Sequence, residues 1–287
     1  MKQPMRLLLY SHDTFGLGHT KRTISLGSAI LEREPEAKVL YVTGSPIIQE
    51  LRLPKGMDYV KIPSVTKCGP ENYIPRYLKL RFYDLLRLRA RLIGTVAEEF
   101  QPDIFIVDHA PIGMSGEILP TLRSLRKSRT KIVLGLRDVL DDPVIVRPLW
   151  EDQQIAGVMR EFYDLILVYG MEEFFDPISE YGLPVDVRDK TRFTGYVHRP
   201  HVVLSANEVR RRLQIPAGPF VLITVGGGED GCAVLRFVMA ALHERPLEGF
   251  SVFVTTGPMC PDEIREEIVR EGGENIIVTE FVEDLPS

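Results

Sequence analysis

Cysteine is scarce: Cys68, Cys232 and Cys260 are the whole complement, and no two share the spacing of a zinc knuckle or a redox C-x-x-C pair. A disulfide framework is excluded with them, and a reducing cytosolic setting fits that usage. Positive charge is not in excess either. The 35 Lys and Arg stand against 40 Asp and Glu, a formal charge of -5, so no global field holds nucleic acid and any anion must be bound locally. Long apolar runs are missing. The opening MKQPMRLLLYSH offers only Leu7, Leu8, Leu9 and Tyr10 in succession, too short for a signal core or a membrane span. A cytoplasmic protein is expected. The common phosphate motifs are absent as well: there is no G-x-x-x-x-G-K-[ST], and a G-x-G-x-x-G starting at Gly16 fails at Lys21. The second strand ends Val42, Thr43, Gly44 without an acid to hold a ribose, so NAD is not expected, and no other cofactor or metal is called for.

What is there is an α/β rhythm. With 287 residues at 44% hydrophobic composition, the chain can bury about three quarters of its unfolded surface. Short Val, Ile and Leu runs predict parallel strands at Arg6–Tyr10, Lys38–Thr43, Tyr59–Ile62, Asp103–Val107, Lys131–Leu136, Asp164–Tyr169, Phe220–Val225, Phe250–Thr255 and Asn275–Thr279. Helical spacing of apolar residues predicts crossovers at Thr20–Arg33, Tyr77–Phe100, Gly113–Lys127, Pro148–Phe162 and Gly231–His243. Between Thr194 and Ser205 the rhythm lapses, and Ser205 with Glu208 then forms a capping-box pattern for a helix to about Leu213. Two Rossmann-like domains follow, residues 1–200 and 201–287, each opened by a strand, a glycine loop and a helix. The C-terminal one reads as incomplete, with three strands and no helix after NIIVTEF; an oligomeric partner over that edge strand, or a longer chain, is expected.

Two loops carry the candidate chemistry. In His12–His19 the glycines Gly16 and Gly18 turn the chain into a helix start, where backbone N–H groups face anions, although a plain tight turn reads the same way. His19 sits in that first turn, where the helix dipole disfavours protonation and leaves a general base. Asp108, ending DIFIVD, is its expected orienter, since the crevice of an open parallel sheet lies outside the strand ends. His109, Arg137 and Asp138 reach the same rim, as do Tyr169 and Gly170. The other loop, Gly226, Gly227, Gly228 and Glu229, lacks side chains where a diphosphate would approach the next helix, and it too reads equally as a turn.

The segments RLLLYSHDTFGLGHTKR, FIVDHAPIGMSGEILPTL, LGLRDVLDDP, LVYGMEEFFDP, RFTGYVHRP and ITVGGGEDG together resemble a bacterial family of predicted glycosyltransferases, similar to the family 28 enzymes that include the peptidoglycan lipid-linked GlcNAc transferase. The resemblance spans nearly the whole chain. It implies the GT-B fold, a nucleotide-sugar donor, an unidentified acceptor and metal-independent transfer to a hydroxyl. By motif, Gly16, Gly18 and His19 belong on the acceptor side, and Gly226, Gly227 and Gly228 near the donor diphosphate. The segment that holds the donor base and ribose in the relatives lies beyond the end of this sequence. A nucleotide-sugar hydrolase and a non-catalytic sugar-nucleotide or lipid-binding protein are the rival readings. Finally, Arg76–Arg91 carries six basic residues and one acid, Asp84. On a helical wheel Leu78, Phe82 and Leu85 oppose Arg76, Arg87 and Arg91, which suits either peripheral contact with an anionic membrane or a solvated face.

Overall fold

A computed structural model describes residues 3–13, 17–69, 72–198, 204–228, 230–273 and 275–282. Gly16, Glu229, the boundary residues 199–203 and the terminal residues 283–287 lie outside the described residues. Among those described, 3–13 and 18–198 form one compact unit and 204–282 another.

In the first unit β1 (Arg6–Ser11) leads to α1 (Gly18–Arg33), β2 (Lys38–Thr43) and β3 (Met57–Lys61). A hairpin of β4 (Val65–Gly69) and β5 (Asn72–Pro75) precedes α2 (Phe82–Phe100) and β6 (Ile104–Asp108). Then come α3 (Leu119–Leu125), β7 (Lys131–Arg137), α4 (Pro143–Asp152), α5 (Ile155–Phe162) and β8 (Leu165–Tyr169). Two short helices, α6 (Pro177–Glu180) and α7 (Val185–Asp189), lead to β9 (Thr191–Phe193). The seven-stranded sheet runs β3-β2-β1-β6-β7-β8-β9, all parallel. The strand alternation divides the core in two. Leu8 and Tyr10 pack with Ile93, Phe105, Leu122 and Met159 on one face, while Leu7 and Leu9 pack with Leu31, Val39 and Tyr41 on the other. Because β1 is flanked by β2 on one side and β6 on the other, the strand order reverses there. Loops leaving the carboxyl ends of β1 and β6 therefore meet at a topological switch point.

The second unit holds α8 (Ala206–Arg212), β10 (Phe220–Thr224), α9 (Cys232–Glu244), β11 (Ser251–Thr255), α10 (Asp262–Glu271) and β12 (Ile276–Thr279). Ser205 and Glu208 complete the capping box at α8. The three strands are parallel in the order β10-β11-β12. Val252 and Val254 pack on Leu235, Met239 and Ile268, and Phe253 packs oppositely on Ile215 and Val282.

All nine anticipated strands are present, with ends shifted by two residues or fewer. The helices need correction. The stretch predicted as Tyr77–Phe100 is helical only from Phe82, because the chain before it is still bound to the hairpin through Arg76 N–H to the Ser64 carbonyl, 3.0 Å. Pro148 does not open a helix. Asp142 does, accepting from Val144 N–H, and the left-handed Gln154 then breaks the run in two. Gly113–Lys127 shrinks to one 3-10 turn, Met114–Gly116, and α3.

Candidate active site

The strand RLLLYS ends at the switch point, and the next described residues, His12 and Asp13, turn with Asp13 in the left-handed region at φ 42°. Asp tolerates that region because its short polar side chain can bond locally. Here it bonds widely. The buried Asp13 carboxyl accepts from the Thr43 hydroxyl at 2.6 Å, the Tyr41 hydroxyl at 2.7 Å, the Thr20 hydroxyl at 3.1 Å and Ser11 Oγ. Those donors come from β1, β2 and α1, so one side chain ties the end of β1 to two neighbours. Burial and the Asp13 carboxyl hold the Tyr41 phenol well above its ordinary value.

Across the switch point β6 ends at the buried Asp108. His19 Nδ1 lies 2.7 Å from its Oδ2, and Arg22 grips the same carboxylate with Nε to Oδ1 at 2.9 Å and Nη2 to Oδ2 at 2.8 Å. His19 and Arg22 are three apart on α1 and so share a face. Burial alone would raise the Asp108 carboxyl, but the hydrogen bonds from His19 and Arg22 carry it down to about 2. In the tautomer that donates Nδ1–H to the Asp108 carboxylate the lone pair resides on Nε2, while Arg22 Nη2, which only donates, stands 2.9 Å from the same Nδ1. That is the tautomer of a general base.

Two further imidazoles pack against it. The His19 ring centroid is 4.7 Å from that of His109 and 5.9 Å from that of His12. Burial, then the neighbouring His19, lowers His12 to about 4 and His109 well below the usual imidazole range. Both are neutral near pH 7, and each has a buried Nδ1 without a hydrogen-bond partner. The Arg22 guanidinium lies over the Tyr169 ring, 5.4 Å from its centroid. That ring fits only because position 135 on the adjacent strand is glycine: a Cβ there would stand 1.9 Å from the Tyr169 hydroxyl.

Behind the His12 turn lies a buried ion pair. Arg89 donates through Nε to Glu117 Oε2 at 2.6 Å and through Nη2 to Oε1 at 2.7 Å, and Tyr10 donates its hydroxyl to the same Oε1 at 2.5 Å. Arg89 also donates to the Pro63 carbonyl at 2.5 Å and the His12 carbonyl at 3.4 Å. It sits at 0% exposure in the stripe Leu85, Arg89, Ile93, Ala97 of α2. Arg89, which is not among the Arg76, Arg87 and Arg91 of the face read as solvated, is the buried member of this basic segment, and its four-residue spacing within an apolar stripe was the available signal. Arg22 was equally readable, one turn beyond His19.

Of the anticipated residues, His19, Asp108 and His109 come together. Gly18 opens α1, with no heavy atom within 4 Å of where its Cβ would be. Arg137 ends β7, exposed, and its charge acts on His109. Asp138 is drawn aside, packing on Gly170 and binding the Tyr196 hydroxyl. Gly226, Gly227 and Gly228 belong to the second unit, and their small size is partly used internally. A Cβ on Gly228, at φ +95°, would meet the Thr256 carbonyl at 2.2 Å, and the Gly227 carbonyl accepts from Met259 N–H at 2.8 Å. Gly226, at φ +62°, faces open space. Among the described residues no group of three or more His, Cys, Asp or Glu is placed to hold a metal ion.

No protein-family model matches the chain. In sequence it is similar to the UDP-N-acetylglucosamine–N-acetylmuramyl-(pentapeptide) pyrophosphoryl-undecaprenol N-acetylglucosamine transferase of Phocaeicola vulgatus, 23% identical over 296 residues that cover 99% of this chain and 69% of that protein. In structure it is similar to Anabaena HepE in complex with UDP-glucose, with a TM-score of 0.55 and 10% identity over 98% of this chain and 70% of that one. The fold is that of the GT-B glycosyltransferases. A UDP-glucosyltransferase from Polygonum tinctorium shares it at TM-score 0.57 and 13% identity, over 98% of this chain and 73% of that one. The His19–Asp108 pair thus stands on the first Rossmann-like unit of a GT-B chain, and the Gly226–Gly228 loop on the second. No described helix of this GT-B chain is long and apolar enough to cross a membrane.

Proposed function

We propose that the chain is a glycosyltransferase that moves a sugar from a nucleoside-diphosphate donor to an acceptor hydroxyl, with His19 as general base. The observation that carries this reading is the 2.7 Å contact of His19 Nδ1 with an Asp108 held ionised by Arg22. Nε2 takes the acceptor proton as its oxygen attacks the anomeric carbon, and the bond to the diphosphate breaks with the electron pair leaving on phosphate. Asp108 fixes the imidazole and stabilises the imidazolium that forms. His109 and Arg137 line the acceptor side with Gly18, and Asp138 holds the adjoining loop. The Gly226–Gly228 loop of the second unit, with Glu229 beside it in sequence, is the candidate for the donor diphosphate in this reading. The relatives that name UDP-sugars support the donor class.

The test is a panel of nucleoside-diphosphate sugars with hydroxylic acceptors. His19→Ala should lose about 100-fold to 10,000-fold in turnover with the fold intact. An unchanged kcat removes His19 from the mechanism, and sugar release into water without acceptor makes the enzyme a hydrolase.

We also propose peripheral contact with an anionic bilayer. Tyr77 and Tyr83, at 69% and 68% exposure, stand with exposed Leu78, Leu80 and Leu88 among Lys79, Arg81, Arg87 and Arg91. Aromatic and basic side chains so mixed suit a headgroup region. The lipid-linked substrate in the name of the Phocaeicola relative agrees. Salt-sensitive flotation with anionic vesicles, weakened by Arg87→Ala with Arg91→Ala, is expected; no flotation at low salt refutes it.

A further inference from the structure

Two of the three cysteines meet beneath the glycine loop of the second unit. Cys232 is the first residue of α9, half-buried, and its Sγ donates to the Gly228 carbonyl at 3.6 Å. Cys260 lies in the loop between β11 and α10, buried, with its amide donating to the Gly257 carbonyl at 3.2 Å. The same Gly228 joins them: a Cβ built there would stand 2.9 Å from Cys260 N and 3.0 Å from Cys260 Cβ. Both side chains belong to one packed cluster with Leu235 and Val254. Burial, with the charge and hydrogen bond of the Cys232 thiol, pushes the Cys260 thiol up to about 11. Cys260 Sγ donates to the Pro261 carbonyl at 3.7 Å, so each thiol faces a backbone carbonyl of the turn it stands on.

The loops that carry them are interlocked through backbone. A Cβ on Gly257 would lie 2.4 Å from the Gly227 carbonyl carbon and 2.6 Å from Gly228 N. Glycine at 228 and 257 thus lets the β10–α9 turn lie directly on the β11–α10 turn, with the two thiols at the seam. A covalent bond between them staples those turns at the carboxyl end of the sheet, where a parallel sheet takes its ligands.

We propose that Cys232 and Cys260 are a reversible thiol–disulfide site, oxidised by a peroxide. Cys232, the more exposed, reduces hydrogen peroxide, giving a sulfenic acid and one water. The Cys260 thiol then displaces hydroxide from that sulfur, its proton leaving with it as a second water, and the S–S bond forms. Two thiols lose two electrons and two protons in all, and the peroxide becomes two waters. Dithiothreitol reverses the reaction. The closed form holds the turn at Gly226–Gly228 against the turn at Gly257–Cys260, and it exists whether or not that loop binds a diphosphate.

The whole chain is treated with one equivalent of hydrogen peroxide, and thiols are counted after denaturation under non-reducing conditions. Accessible thiols should fall from three to one, with a mass loss of about 2 Da and a Cys232–Cys260 peptide that dithiothreitol abolishes. Cys68→Ser should fall from two to none, because Cys68, exposed on β4, takes no part. Cys232→Ser and Cys260→Ser should form no intramolecular crosslink, and hydrogen exchange at Gly226–Cys232 should slow in the oxidised wild type but not in them. A gain of about 16 or 32 Da at Cys232 without a crosslink, or disulfides through Cys68 alone, overturns the proposal.

Discussion

The chain makes the same local design twice, a strand turning through glycine into a helix, and fills the two turns differently. After β1 the turn is dense with side chains: Asp13, His12, His19 and Arg22 are held by Asp108, Tyr41 and the buried Arg89–Glu117 pair. After β10 the turn is nearly all backbone, and its close contacts are glycine against glycine and two thiols. The surroundings differ in step. β1 lies between two neighbouring strands and its residues Leu7 to Tyr10 are buried, whereas β10 pairs on one side and leaves Phe220 and Leu222 at 39% and 43% exposure. Buried side chains such as Asp108 and His109 have their titration shifted, because burial moves pKa values.

The largest expected effect comes from breaking the dense side of this contrast. Glu117→Ala strands the Arg89 guanidinium in the core and should cost about 3–5 kcal/mol in urea unfolding, while Arg89→Met with Glu117→Leu should restore most of it. A loss below about 1 kcal/mol would show that water reaches the pair. Next, the two helix-opening turns should answer differently to one methyl group. Gly228→Ala forces a Cβ against the Thr256 carbonyl in a left-handed conformation, a cost of about 1–3 kcal/mol. Gly18→Ala meets open space and should be neutral or slightly stabilising. Lost turnover in Gly18→Ala at full stability would mark that space as occupied by substrate.

The most gradual effect, spread over pH units and small near neutrality, is in acid. His12 stays neutral in the fold down to about pH 4, while in the unfolded chain it protonates below about 6.5. Stability should fall between those values by up to about 1.4 kcal/mol per pH unit for each such histidine. Asp108 has the opposite kind of shift, its stabilisation present above about pH 3.9 and lost only as pH falls toward 2. Urea midpoints at pH 7 and pH 5 should differ less in His12→Asn than in the wild type. An equal difference would assign the slope elsewhere.

Periodicity in the chain made the parallel strands legible, because strands buried on both faces are continuous runs of Val, Ile and Leu. The His19–Asp108 pairing was readable from the switch-point rule, which needs only strand ends and topology. Less was visible where a polar residue serves the core. Asp13 resembled one more loop residue, since its hydroxyl donors Tyr41 and Thr43 come from another strand and become its partners only through register. Arg89 was hidden by its own company: six basic residues in one stretch suggest a surface, and the one that is buried is distinguished by phase, not by type. The β4–β5 hairpin escaped because VTKCG and NYIP show neither alternation nor an Asn-Gly turn.

The missing side chain at Gly135 links the sheet to the chemistry in a way that reaches beyond fit. Tyr169 crosses the space above β7 to lie beneath Arg22, which grips Asp108, which orients His19. A methyl group added in the middle of a neighbouring strand would evict the ring, and through it unseat a cation and then the base. The sheet interior thus governs, from a distance, where the His19–Asp108 pair stands. A substitution two strands away from β1 can displace the imidazole while His19, Asp108 and Arg22 all keep their identity.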